Sequence, residues 1–218
     1  AIKRNSLKNI TPVDINLFMP YFPGARQDRN MSDGENYIEP FTCKVYADLI
    51  NSMNFKTVTV IDPHSDVAPA LINNCIRINN HDFVLNALED MAFTSGYTED
   101  LFLDESTPLF NLISPDAGAY KKITNLAKKI SKHCCPFNIV KCDKKRELST
   151  GKITGFEVNS DDLNGLPCVI VDDICDGGGT FIGLAKELKE RNAGDLYLVV
   201  THGIFSKGTK ILLEEFTN

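Results

Sequence analysis

The residues of this chain that could do chemistry are densest around one glycine loop. The segment from Pro167 to Asp172 is almost entirely apolar, and Asp173 completes an acidic pair at its end. Asp176 and the run Gly177-Gly178-Gly179-Thr180 follow, and a helical pattern begins directly after them. A short, nearly continuous apolar run predicts a strand that is buried on both faces. The expected order is therefore a buried strand, two carboxylates, a glycine loop and the first turn of a helix.

This order of elements suits a ligand that carries both a phosphate and neighbouring hydroxyl groups. Glycines allow backbone N–H groups to approach a ligand closely, and a helix N-terminus offers free N–H groups and the positive end of its dipole to an anion. Thr180 adds a hydroxyl donor, while Asp172 and Asp173 can accept hydrogen bonds from a vicinal diol. A phosphorylated sugar has both kinds of group. The alternative is a tight strand-to-helix turn with a solvated acidic pair.

The glycine run does not fit the two commonest nucleotide-binding loops. A Walker A loop needs a Lys after its glycines, and no Lys follows Gly179. A dinucleotide-binding fingerprint needs G-x-G-x-x-G beside an early strand, and the sequence has none.

Composition and charge limit the class of partner. A hydrophobic fraction of 43% and a charged fraction of 24% are ordinary for a soluble globular protein. The net charge of −6 gives no electrostatic reason to expect nucleic acid or an anionic membrane as a partner. No apolar run approaches the roughly 20 residues of a membrane span. The seven irregularly spaced cysteines form no C-x-x-C pair, which predicts free thiols in a reducing cytoplasm and argues against a zinc site.

Strand-like apolar runs alternate with helical patterns along most of the chain, which predicts an α/β fold with mainly parallel sheets flanked by helices. The predicted strands are residues 15–19, 57–61, 75–78, 109–113, 137–141, 167–172 and 196–201. The predicted helices cover residues 39–53, 65–72 and 82–93, with two more around 123–130 and 181–191. Residues 94–108 lack periodicity and form the best linker candidate. We therefore expect two domains, residues 1–108 and 109–218.

Two further groups of polar residues follow predicted strands. His64 lies in Asp62-Pro63-His64-Ser65, after the strand at residues 57–61. The basic run Lys144-Lys145-Arg146 follows the strand at residues 137–141 and is expected in a loop. Taken alone, these groups indicate a capped or surface histidine and a solvated basic segment.

Several motifs together resemble a known family. The glycine segment is similar to the loop that binds phosphoribosyl pyrophosphate (PRPP) in the type I phosphoribosyltransferase superfamily, although Gly177 stands where Thr is usual. Four segments resemble those of ribose-phosphate pyrophosphokinases and occur in the same order: Pro20–Arg29 (PYFPGARQDR), Glu39–Leu49, Ser114–Gly118 (SPDAG) and Thr201–Ser206 (THGIFS). This resemblance extends over nearly the whole chain.

The resemblance implies two phosphoribosyltransferase-like domains and an enzyme that transfers the pyrophosphoryl group of Mg-ATP to the anomeric hydroxyl of ribose 5-phosphate, giving PRPP and AMP. Its ATP site would use Arg26, Gln27, Asp28 and His64. Its sugar-phosphate site would use Asp172, Asp173, Asp176, Gly177, Gly178, Gly179 and Thr180. Lys144, Arg146 and His64 would be catalytic, with Lys145 as the alternative to Lys144. Asp116 and His64 would lie at the Mg²⁺.

The resemblance also implies a homo-oligomer with active sites shared between subunits, in the cytoplasm. The family builds its adenine pocket partly from a loop that precedes this sequence. Residues 1–4 lack an initiator Met and read as the interior of a helix, and residues 211–218 stop just after a helical pattern. Both domains are therefore expected to lack elements, the first at its start and the second at its end. The segment after His64 departs from the family, because Asp66-Val67 stands where Gln is usual.

Two other functions remain open at this point. A phosphoribosyltransferase that consumes PRPP would share the glycine loop but has no need of the PYFPGARQDR motif. A catalytically silent regulatory paralogue, which binds active subunits, would accommodate the departures at Gly177 and Asp66.

Overall fold

The computed structural model describes residues 13–32, 38–94, 107–132, 135–147 and 153–216. The chain divides into two compact units, Ala1–Asn79 and Asn80–Asn218. Both contain parallel sheets with helices, so the predicted α/β class is confirmed. Among the described residues, no helix has the length and apolar character that a membrane span requires.

The first unit is built on a small parallel sheet. Its elements are β1 (Asn16–Met19), β2 (Met31–Ser32), β3 (Ile38–Glu39), α1 (Thr42–Ser52), β4 (Thr57–Ile61), α2 (Val67–Leu71) and β5 (Cys75–Ile78). The strand order is β1-β4-β5, and β2 and β3 form a separate antiparallel pair. Helix α1 buries Cys43, Ala47 and Ile50, which lie on one face because they are spaced by four and three residues. These side chains pack with Val58 and Val60 of β4.

The second unit is a five-stranded sheet covered on both faces. Its elements are α3 (His81–Thr94), β6 (Phe110–Ser114), α4 (Tyr120–Ile130), β7 (Phe137–Arg146), β8 (Ile153–Val158), β9 (Cys168–Cys175), α5 (Gly179–Glu190), β10 (Leu196–Gly203) and α6 (Lys210–Glu215). The strand order is β10-β9-β6-β7-β8, and every pair is parallel except β7 with β8.

Strand β9 shows why its sequence is almost continuously apolar. Cys168 and Ile170 pack in one core with Leu184 and Leu188 of α5. Val169 and Val171, which point the other way along the strand, pack in a second core together with residues of α3 and α4. The strand is therefore buried on both faces, as predicted.

The structure differs from the expected organisation in two places. The compact units divide at Asn79, whereas we expected a boundary near residue 108, because α3 buries Val84 and Leu88 in the same core as α4 and β9. The prediction that Lys144-Lys145-Arg146 lies in a loop is wrong, because β7 continues to Arg146 and pairs with β8. The predicted linker falls largely outside the described residues.

Candidate functional site

The glycine loop joins β9 to α5 in the way the sequence predicts. Gly178 is the residue before the helix and has a φ of 75°, a left-handed conformation that side chains disfavour. A Cβ at Gly178 would also lie 3.1–3.3 Å from side-chain carbons of Leu212 in α6. Residue 178 therefore has to be glycine both for its backbone conformation and for packing. Gly179 differs, because a Cβ there would meet no atom within 4 Å.

The first turn of α5 is open to a ligand. Gly179 is exposed and Thr180 is half-buried, and the backbone N–H groups of a first helical turn have no partner within the helix. The helix dipole adds positive potential at the same point. Asp176 is exposed at the start of the loop. The loop can therefore present amide donors and a hydroxyl to a phosphate, with the acidic pair of β9 next to it in the chain.

The acidic pair is partly withdrawn from solvent. Asp173 is buried and its Oδ2 lies 3.6 Å from Nζ of Lys122 in α4. Asp172 is half-buried, and its Oδ1 accepts a hydrogen bond of 2.9 Å from the backbone N–H of Asp173. Asp173 has the same strand parity as Val169 and Val171, so it faces the side of the sheet that α4 covers.

Burial, the charge of Asp173 and a side-chain hydrogen bond with Asp173 together raise the pKa of Asp172 to about 8, against a lowering effect from the backbone N–H of Asp173. Asp116 adds a smaller repulsion. The pair therefore shares a proton near neutral pH, because two adjacent carboxylates with little solvent disfavour a second negative charge. A cation or a hydroxyl donor brought to this place would favour the ionised form.

A further acidic residue, Asp116, follows the parallel strand β6. Its Oδ2 lies 2.6 Å from Nζ of Lys144, and its Oδ1 accepts a hydrogen bond of 2.9 Å from the N–H of Ala119. Burial raises the pKa of Asp116, whereas the hydrogen bond and the charge of Lys144 lower it. The N–H groups of Ala119 and Gly118 act in the same direction, so this pKa lies below its ordinary value.

Lys144 reaches Asp116 from the hairpin of β7 and β8. Lys144 pairs with Phe156 across the ladder, and its side chain is 19% exposed. Lys145 is 59% exposed and lies 4.0 Å from Glu157, because successive side chains of a strand point to opposite faces. The structure thus separates the two lysines that the sequence leaves as alternatives. Arg146 ends β7, and its side chain lies outside the described residues.

The predicted ATP residues of the first unit lie on a turn that is bonded to α1. The backbone N–H of Gln27 donates to Gly24 O at 3.0 Å, and the N–H of Cys43 donates to Gln27 O at 3.1 Å. Arg26 is exposed at the end of this turn, and Asp28 is largely buried with its Oδ1 3.4 Å from Nε of Arg29. The turn therefore presents the exposed guanidinium of Arg26.

His64 follows β4 and is half-buried. The preceding Asp62 has a φ of 38° and donates its N–H to Ile78 O at 2.7 Å, so the chain turns sharply here. Asp66, which lies in the segment after His64 that departs from the resembling family, pairs with Nη1 of Arg77 at 2.5 Å. The departure at residue 66 is therefore accommodated by an ion pair to the neighbouring strand.

The second unit brings Asp116, Lys144 and the acidic pair to the carboxyl edge of its sheet, where parallel strands present ligand sites. Sequence reasoning missed Lys122, because α4 also carries Lys121, Lys128 and Lys129 and no local signal separates them. Only the register of α4 on β9 distinguishes Lys122 from these other lysines.

A bound Mg²⁺ fits this edge only as an ion that arrives with phosphates. Among the described residues, no group of three or more His, Cys, Asp or Glu side chains could hold a metal. Asp116 offers one carboxylate, which is already paired with Lys144. Mg²⁺ usually takes one or two carboxylates together with phosphate oxygens and waters, so Asp116 suits a phosphate-bound ion.

Comparison with known proteins supports the fold. A family model described as phosphoribosyl transferase domain matches residues 97–216. The ribose-phosphate pyrophosphokinases of Mycoplasmopsis pulmonis and Bradyrhizobium diazoefficiens are 32% and 31% identical to this chain, over 207 and 213 residues. Each match covers 95% of this chain and 57% of the relative. The chain therefore spans a little over half the length of these curated relatives.

A solved structure shows the same fold. The crystal structure of phosphoribosylpyrophosphate synthetase from Mycobacterium smegmatis matches with a TM-score of 0.68 and 23% sequence identity. The match covers 94% of this chain and 59% of that chain.

Proposed function

Because the chain belongs to the phosphoribosyl transferase domain family, we propose that it binds ribose 5-phosphate and transfers to it the pyrophosphoryl group of Mg-ATP, giving PRPP and AMP. The observation that carries this proposal is the meeting of Lys144, Asp116 and the acidic pair of β9 at one sheet edge. The glycine loop after β9 adds backbone N–H groups that can bind the phosphate of the sugar.

The sugar phosphate would lie along the loop. Its 5-phosphate would accept hydrogen bonds from the N–H groups at the start of α5, including that of Gly179, because nothing blocks approach there. Its hydroxyls would donate to Asp172 and Asp173. Lys122 supports this arrangement, since its ammonium lies 3.6 Å from Asp173 and offsets the charge of a buried carboxylate.

The transfer reaction requires that the two substrates be positioned in line and that positive charge lie beside the phosphates. The anomeric oxygen attacks the β-phosphorus of ATP, the bond from that phosphorus to the α–β bridging oxygen breaks, and AMP leaves, while the anomeric proton is released. Mg²⁺, held by the phosphates and by Asp116, would neutralise phosphate charge. Lys144 would stabilise charge that develops on the transferred group, since its ammonium lies at this edge of the sheet. Arg26, Gln27, Asp28 and His64 are the proposed ATP contacts of the first unit.

The matches with curated relatives favour this activity over a PRPP-consuming transferase. The relatives named ribose-phosphate pyrophosphokinase match both compact units, 95% of the chain, whereas the general family model matches residues 97–216 alone. A general transferase would account for the second unit only. A silent paralogue is the remaining alternative, because it would keep both units and lose turnover.

Three measurements separate the three functions. Purified protein is incubated with Mg-ATP with and without ribose 5-phosphate, and AMP is quantified. AMP release that requires the sugar phosphate supports the proposal. Pyrophosphate release from PRPP and a purine or pyrimidine base would indicate the transferase. Binding of ribose 5-phosphate without either product would indicate the silent paralogue.

A further inference from the structure

The loop between β10 and α6 is bonded along the glycine loop. The backbone N–H groups of Ile204 and Phe205 both donate to Cys175 O, at 2.8 and 3.2 Å. The N–H of Ser206 donates to Asp176 O at 3.2 Å. These bonds hold three consecutive residues against the start of the glycine loop. The next residue, Lys207, therefore lies beside this loop.

Backbone conformation and a tight contact help to define the path of this loop. Phe205 has a φ of 49°, which is uncommon for a residue with a side chain, and its carbonyl accepts the N–H of Gly208 at 2.8 Å. A Cβ at Gly203 would lie 2.1 Å from the ring of Phe205, so only glycine allows the ring to fold back there. The position of Lys207 therefore follows from the path of the whole loop.

Lys207 lies across Gly177. A Cβ at Gly177 would be 3.3 Å from both Cδ and Cε of Lys207 and 3.6 Å from its Cγ. The lysine stem thus takes space that a side chain at residue 177 would use. Because Cε carries the ammonium, the charge of Lys207 also lies at the mouth of the glycine loop. Lys207 is exposed, and within the described part of the chain it makes no ion pair or hydrogen bond.

We propose that Lys207 is a phosphate-binding residue of the glycine loop, whose ammonium contacts the 5-phosphate of the sugar and replaces the hydroxyl that Gly177 lacks. This inference rests on the proposed function, since it names a further residue of the same sugar-phosphate site. The ammonium is a compact point charge on a flexible stem, which suits a phosphate dianion that the loop amides already orient.

The test compares two lysines of the same unit. Lys207→Gln removes the charge but keeps most of the stem, and Lys186→Gln removes an exposed charge from α5, two turns beyond the loop. Calorimetry measures the binding of ribose 5-phosphate and of unphosphorylated ribose to each protein at low salt and at about 0.5 M salt.

We expect Lys207→Gln to weaken ribose 5-phosphate binding about fivefold at low salt, the scale of an exposed charge contact, and less at high salt. Lys186→Gln should bind as the wild type does, and ribose binding should be equal in all three proteins. Unchanged ribose 5-phosphate affinity in Lys207→Gln would overturn the role of Lys207 alone, as would an equal loss for ribose. A wild-type protein that binds no ribose 5-phosphate would overturn the proposed function and this inference together.

Discussion

Nζ of Lys144 lies 2.6 Å from Oδ2 of Asp116, so the proposed catalytic cation and the proposed metal ligand form an ion pair. The two side chains come from β7 and from the turn after β6, which are adjacent parallel strands. Each charge is neutralised in this state. Phosphates and their Mg²⁺ would have to separate the pair, which would free the ammonium for the transferred group at the same time as the carboxylate gains a metal ion.

Lys144→Ala should lower kcat by a factor on the order of 10², the scale for loss of one preorganised donor, with KM values little changed. The reason is that a cation acting mainly on the transition state affects kcat and kcat/KM together. Steady-state AMP formation measures both quantities. Lys145→Ala is the matched control, because Lys145 points to the other face of the same strand and is 59% exposed. Near-normal turnover in Lys144→Ala would contradict this role.

Asp116→Asn should weaken Mg-ATP binding while the fold is kept. The amide oxygen can still accept the N–H of Ala119, so the loss is mainly the charge opposite Lys144. The free energy of unfolding should fall by about 1.5–3 kcal/mol, the range for a hydrogen bond to a charged group. Calorimetric titration with Mg-ATP and urea unfolding measure the two effects. Asp143→Asn, which removes a carboxylate 45% exposed on β7, is the control. If both variants bind Mg-ATP as the wild type does, Asp116 is not a metal ligand.

Gly179→Val should raise the KM for ribose 5-phosphate with little effect on the KM for ATP. Its new side chain would project into open space beside the first turn of α5, so it would obstruct the ligand and not the fold. Gly178→Ala is the informative contrast, because its φ of 75° and the contact with Leu212 predict lower stability before any ligand is present. Thermal unfolding distinguishes the two variants, because the unfolding temperature should fall in Gly178→Ala and stay close to that of the wild type in Gly179→Val. An unaltered KM for the sugar phosphate in a folded Gly179→Val protein would refute binding at these amides.

The acidic pair should make stability fall as the pH rises. The pKa of Asp172 is raised in the folded protein to about 8, so the folded state holds a proton that the unfolded chain releases near pH 4. The stabilising free energy from this bound proton is fully present below about pH 4. It is lost as the pH rises toward the pKa of Asp172 in the folded protein.

Asp172→Asn removes this titration, so urea unfolding between about pH 4 and pH 8 should show the variant gaining stability relative to wild type as the pH increases. The exposed Asp176→Asn serves as control and should follow the wild type. A constant difference between Asp172→Asn and wild type across this range would show that the pair does not share a proton.

Much of the fold could be predicted because its signals are local. The boundaries of β4 and β5 agree with the predicted strands, residue for residue, and the helical face of Ile123, Leu126, Ala127 and Ile130 is buried in α4. Strand β9 and the glycine loop could also be predicted, because the apolar run and the glycine run each consist of consecutive residues. By contrast, β8 was missed, because its antiparallel pairing extends β7 through the polar run that includes Lys144.

The sequence by itself determined the α/β class, the glycine loop at the start of α5 and the residue types that a sugar phosphate needs. Tertiary structure alone decided which charged side chains lie close together. Lys144 was distinguished from Lys145 by the face of a strand, Lys122 from its neighbouring lysines by the register of α4 on β9, and Lys207 by a loop bonded to Cys175 and Asp176. These contacts join residues far apart in the chain, and no local pattern encodes the packing that brings them together.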